Sequence, residues 1–158
     1  MFEGLNHINI AGTEYLIKCD LYVLECIQDE YGSVEKFEDG IRNIKLKDGM
    51  VPKLDEDKKP VLDENGEKIM IPGKVPEYKY PNMKMLSFGL ELMINEGIDI
   101  QNEETETKME HVTARKLVQR MEYTVNDLSS ILLKEYTNCF VVKNQKTTQG
   151  ETGENQNP

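Results

Sequence analysis

Polar and apolar residues alternate at the start of the chain, then apolar residues recur every three or four positions. This pattern predicts a β-hairpin followed by helices. In "HINIAGTEYLIKC", Ile8 and Ile10 alternate with polar neighbours, the chain turns at Ala11-Gly12, and Tyr15 and Ile17 share one side. A lone hairpin is barely stable in water, so this one is expected to lie on the helical part. Asp20 is placed to cap a helix whose apolar positions are Leu21, Leu24, Ile27 and Tyr31, with Gly32 at its end. Ser33 is a second cap, and Val34, Phe37, Ile41 and Ile44 mark a second helix weakened at Gly40.

The texture changes from Asp48 to Pro81, where prolines and charges concentrate. Helix is disfavoured here, and "VLDENGEKIMI" predicts a hairpin turning at Asn65-Gly66, flanked by Val61, Leu62, Ile69 and Ile71. "KLDEDKKPV" echoes "VLDENGEKI" eight residues earlier, a duplication of turn chemistry too short for a repeat array. Residues 48–81 are therefore expected to project from the helical body as an insertion whose strands could pair with another chain.

Asn82 caps the next predicted helix. Met83, Leu86, Leu90 and Met93 line one face, and Met85, Phe88, Leu92 and Ile94 extend the apolar arc most of the way round, as in a central core helix. Gly97 is read as its end and "QNEETETKME" as a solvated loop. Thr113 caps a helix with Leu117, Val118 and Met121 facing inward. Thr124 and Asp127 form a capping-box pattern before Leu128, Ile131, Leu132, Tyr136 and Phe140. The expected fold class is α+β, mostly α-helical. An N-terminal hairpin packs on a small helical bundle over residues 1–142, and 143–158 form a polar tail expected to be disordered.

The net charge of −10 adds a constraint: such a chain is repelled by phosphate backbones and anionic lipid, so neither nucleic acid nor membrane is an expected partner. No apolar run approaches the roughly 20 residues of a bilayer span, and the N-terminus has no leader pattern. Cys19, Cys26 and Cys139 form no CxxC pair, which points to reduced thiols and a cytoplasmic location. His7 and His111 have no zinc-ligand spacing, and Gly66 lacks the acid five residues before it that a calcium loop needs. Phosphate-binding glycine motifs and a GxSxG elbow are missing too. No catalytic, cofactor or metal residues are expected. What remains is Met83, Met85 and Met93 on the central helix, since methionine suits surfaces that repack against varied partners. Met85, Phe88, Leu92 and Ile94 are the candidate partner-facing residues.

Three segments carry a resemblance to tail assembly chaperones of long-tailed bacteriophages and prophages of Gram-positive hosts. They are "INIAGTEYLIKCDLYVLECIQDEYGSVEKF", "LSFGLELMINEGIDIQNEE" and "VTARKLVQRMEYTVNDLSSILLKEY". The resemblance covers residues 8–47 and 84–140 and leaves out 48–81. It implies a non-enzymatic protein of the host cytoplasm that coats the helical tape-measure protein until tail-tube subunits displace it, with a possible homo-oligomeric state. A structural virion protein, such as a tail adaptor or completion protein assembling through the β-rich insertion, is the alternative.

Overall fold

A computed structural model describes residues 6–141. It is broadly α+β, with five helices and two separate two-stranded antiparallel sheets. The expected tail at 143–158 lies outside the described residues.

The first hairpin forms as its alternation predicts. Strands β1 (Asn6–Ile10) and β2 (Thr13–Ile17) pair with Ile8 opposite Tyr15 and Ile10 opposite Thr13. The turn is closed by Ala11 at φ 52 and Gly12 at φ 82, two left-handed residues that match the twist of the strands. Ile8, Ile10 and Ile17 are buried on one face, and Leu16, on the other face, is buried too.

Helix α1 (Leu21–Tyr31) starts where Asp20 accepts the Val23 N–H at 3.1 Å and stops at Gly32, φ 87. Its inward residues are Val23 and Ile27, while Leu21, expected in the stripe, is 71% exposed. The buried stripe includes Val23, which sits two positions further along. Ser33 caps α2 (Val34–Ile41) through the Lys36 N–H. Ile44 does not continue this helix: Arg42 is already extended, and Ile44 opens a strand. A β-carbon at Gly40 would lie 2.0 Å from the Met85 sulfur, so Met85 would have to turn aside to admit one.

Helix α3 (Met83–Glu104) is the central element and at 22 residues spans about 33 Å. Asn82 caps it as expected, accepting the Met85 N–H at 3.0 Å. Gly97 does not end it. The helix runs through this buried glycine because β2 crosses there, with the Lys18 N–H donating to the Met93 carbonyl at 3.1 Å. The expected loop is therefore helical as far as Glu104, with Ile98 turned into the core. Beyond it the chain doubles back along the helix. Asn95 exchanges hydrogen bonds with both backbone groups of Val112, and Asn102 does the same with Met109, all at 2.8–3.0 Å. Two amides seven residues apart on α3 thus stand in for a missing strand partner.

Thr113 caps α4 (Ala114–Gln119), which buries Leu117 but leaves Val118 at 41% exposure, against expectation. The capping box of α5 (Val125–Asn138) forms with both of its bonds. Leu128, Leu132 and Tyr136 face inward, and Phe140, beyond the helix end, rests its ring 5.1 Å from Tyr136. Ile27, Phe37, Ile41, Leu90, Met93 and Leu132, all fully buried, are the centre of the core. The buried Glu135 carboxylate accepts the Cys19 N–H at 3.0 Å and the Asn6 amide, tying the hairpin to α5.

Residues 44–78 leave this body. Strands β3 (Ile44–Pro52) and β4 (Met70–Tyr78) pair along nine positions as a two-stranded ribbon, and no ribbon residue belongs to the core. The projecting element is thus real, although its strand begins at Ile44, before the expected boundary. The hairpin expected across Asn65-Gly66 is shorter than predicted: Leu62 bridges Lys68, and Ile71 pairs instead with Val51. The reason is a three-way junction. The Lys53 N–H donates to the Ile69 carbonyl, Ile69 to Val61, and Val61 back to Lys53, at 2.8–2.9 Å each. Two small loops close beyond it by the same chemistry. Asp55 accepts the Asp57 and Lys59 N–H groups, and Asp63 those of Asn65 and Glu67. Lys58 at φ 62 and Gly66 at φ 81 occupy equivalent positions. The sequence echo is therefore a duplication in space.

Candidate partner-binding surface

The four residues expected to face a partner are engaged within the fold. Ile94 is fully buried, so it is core and cannot meet another molecule in this conformation. Met85, Phe88 and Leu92 are half-buried and packed on the core. The Met85 sulfur covers Gly40, and the Phe88 ring stands edge-on to Tyr31, centroids 5.3 Å apart. The physical reason is that hairpin, α1, α2, α4 and α5 together surround α3, leaving its apolar arc little solvent to face.

The exposed apolar surface lies instead on the ribbon. Side chains of a strand alternate between faces, and the register puts Ile44, Leu46, Met50 and Met70 on one face with Pro72, Pro76 and Tyr78. Leu46 is 66% exposed, Met50 53% and Tyr78 75%. The central Asp48–Lys74 ion pair, 2.5 Å, interrupts this face. The opposite face is different. Gly49 and Gly73 face each other at its centre, and Val75 and Val51 lie over them, so closely that added β-carbons would sit 2.6 and 2.5 Å from the valines. Next to them Lys45 and Lys47 share the single carboxylate of Glu77, at 3.6 and 3.7 Å.

Where the ribbon leaves the body, a groove of about 920 Å³ opens between α2 and β3, lined by Glu35, Glu38, Asp39, Arg42, Ile44 and Leu46 among others. Arg42 pairs with Glu38, and the Lys79 ammonium donates to the Asp39 carbonyl. The groove therefore carries Ile44, Lys45 and Leu46 along β3 and is mainly acidic along α2.

Titratable groups with shifted behaviour lie elsewhere. Burial raises the Glu96 carboxyl to about 7, helped by its hydrogen bond to Asp20 and by the charges of Asp20, Asp99 and Glu103. Asp20 is occupied as the α1 cap, and Asp99 meets His111 at 2.7 Å. Burial, and then Cys139, push the Cys19 thiol up, which makes it a poor nucleophile. Burial also raises the Tyr136 hydroxyl to about 12, with Glu38 adding to the shift. Among the described residues no group of three or more His, Cys, Asp and Glu could hold a metal ion, and no helix is long and apolar enough to cross a membrane.

Sequence reasoning placed possible pairing with another chain on the insertion but missed its apolar face, because Ile44 fits the helical stripe of α2. Two signals marked it: Ile44, Leu46 and Met50 all fall on even positions, as do Pro52, Pro72 and Pro76. The chain matches no protein-family model, no curated protein and no solved structure.

Proposed function

We propose that this chain is a non-enzymatic phage tail assembly chaperone that binds the helical tape-measure protein and keeps it soluble until the tail tube forms. The resemblance in residues 8–47 and 84–140 suggests the process, and the exposed apolar face of the ribbon supports binding to a partner. Ile44, Leu46, Met50, Met70 and Tyr78 give that face a run of apolar contacts broken by one ion pair. This suits several modest contacts that a tube subunit can displace. The net charge of −10 would keep a coated rod from aggregating. Co-expression with the tape-measure protein of the same phage is expected to raise that protein's soluble fraction, and Leu46→Thr with Met50→Thr to reverse the gain. An unchanged soluble fraction with the parent chain overturns the reading.

A structural virion protein, a tail adaptor or completion protein, is the second reading. It is favoured by the position of the ribbon wholly outside the core, where it can reach a neighbouring subunit. Immunoblots of purified particles separate the two: a chaperone leaves before maturation, whereas a structural component stays.

A further inference from the structure

The two edges of the ribbon differ in their capacity to accept another strand. In an antiparallel pair, residues alternate between those that bond the partner strand and those whose N–H and C=O point outward. Here the bonded pairs are the odd ones, since the ladder continues at its ends through Lys53 N–H to Ile69 and Lys79 N–H to Asn43. Even residues therefore point outward on both edges. On β4 these include Pro72 and Pro76, which have no N–H, so its outer edge is broken twice. On β3 they are Ile44, Leu46, Asp48 and Met50, four successive free donors before Pro52. Among the described residues no backbone group outside the ribbon bonds these four N–H groups. Edge prolines prevent strand addition. On β3 the one proline, Pro52, is its last residue, so the run from Ile44 to Met50 is the receptive edge of the ribbon.

We infer that the outer edge of β3 receives an extended segment of a partner protein in which apolar residues alternate with acidic ones. The inference rests on the reading of the ribbon as the partner-binding surface. The apolar side chains would join Ile44, Leu46 and Met50 on the apolar face. The acidic residue nearest the tip would stand beside Lys47, which shares the single Glu77 carboxylate with Lys45. Lys45 itself lines the groove with Glu35, Glu38 and Asp39, so the segment's acid belongs at the Lys47 level. A second copy fits less well: antiparallel self-pairing centred on Leu46, Lys47 or Asp48 sets Lys45 against Lys47, Lys47 against itself or Asp48 against itself, and like charges directly opposite are destabilising, while pairing centred on Gly49 sets Leu46 against Pro52, which has no N–H.

Amide exchange by NMR on the full chain tests this with two probes: overlapping peptides of the phage's tape-measure and tube proteins, and a synthetic alternating Val-Glu peptide. In the free protein Lys45, Lys47, Gly49 and Val51 exchange slowly, and Ile44, Leu46, Asp48 and Met50 exchange fast. Binding slows the second set at least tenfold. Leu46→Pro, which faces Pro76 and leaves the ribbon's own ladder intact, weakens binding roughly tenfold or more by removing one outward donor. Leu46→Thr keeps the donor while losing the same leucine contacts, and binds several-fold more tightly than Leu46→Pro. Protection confined to α3, equal losses in the two variants, or no binding of either probe overturns the inference. Concentration-dependent protection of the same amides without any probe also overturns it, by making a second copy the occupant. If only the Val-Glu peptide binds, with this pattern, the edge stands and the tail-assembly reading falls. If tail peptides bind without the pattern, the reverse holds.

Discussion

Gly97 of α3 lies against the carbonyl oxygen of Leu16 on β2, so closely that a β-carbon at position 97 would come within 1.9 Å of it. The clash is with backbone, which cannot rotate away, and β2 is held down at the next step by the bond from Lys18 N–H to the Met93 carbonyl. Gly97→Ala is therefore expected to destabilise the domain although alanine is the better helix former. The helix preference favours alanine by about 1 kcal/mol, and overpacking opposes it by about 1–3 kcal/mol or more. Thermal unfolding followed by circular dichroism should show a lower Tm. A Tm equal to or above the parent's would mean that the hairpin does not sit on α3 at this point.

That contact also explains which parts of the fold were legible in the sequence. Local chemistry was: Asp20, Ser33, Asn82, Thr113 and Thr124 all cap the helices they were expected to cap. Those signals act within a few residues. Gly97 was misread because a glycine serving a close approach looks identical, in one dimension, to a glycine ending a helix. Ile44 was misread for a related reason: it follows Ile41 by three residues, a helical spacing, and its place in a strand shows only once β4 is paired with it. The candidate site suffered most. Whether Phe88 or Ile94 is spare or core depends on how many elements crowd around α3, and burial is a property of the assembled fold.

Glu96 gives a pH dependence. Its carboxyl is raised from 4.5 to about 7 by burial and by the neighbouring Asp20, Asp99 and Glu103. The folded chain thus binds this proton more tightly than the unfolded chain. The contribution to stability is complete below about pH 4.5 and declines as pH rises, until near pH 7 the folded group also ionises. Glu96→Gln removes the decline. The variant is expected to match the parent at pH 4.5 and exceed it at pH 8 by about 1 kcal/mol, a figure kept small because the side chain is partly solvated. That corresponds to a Tm gain of roughly 2–4 °C for a domain of this size. An advantage that is the same at both pH values would assign the effect to helix propensity instead.

The ribbon should be separable from the fold. None of its residues belongs to the core, and its base is closed by the Lys79 N–H bonding the Asn43 carbonyl at 2.9 Å, so the two chain ends left by removing residues 44–78 are already adjacent. Two glycines span that distance without strain. The helical body keeps its own anchors, including Asn82 N–H to the Gly40 carbonyl and the Ser129 hydroxyl to the Ile41 carbonyl. The excised protein is expected to remain monodisperse, retain its helical circular dichroism and unfold within a few degrees of the parent, since little apolar surface is lost from the interior. On the proposed chaperone reading, it also loses capture of the tape-measure protein in co-purification. A body that unfolds on excision would make the ribbon a structural strut. A folded body that still captures its partner would move the binding surface back to the helices, where Met85, Phe88 and Leu92 are the first residues to substitute.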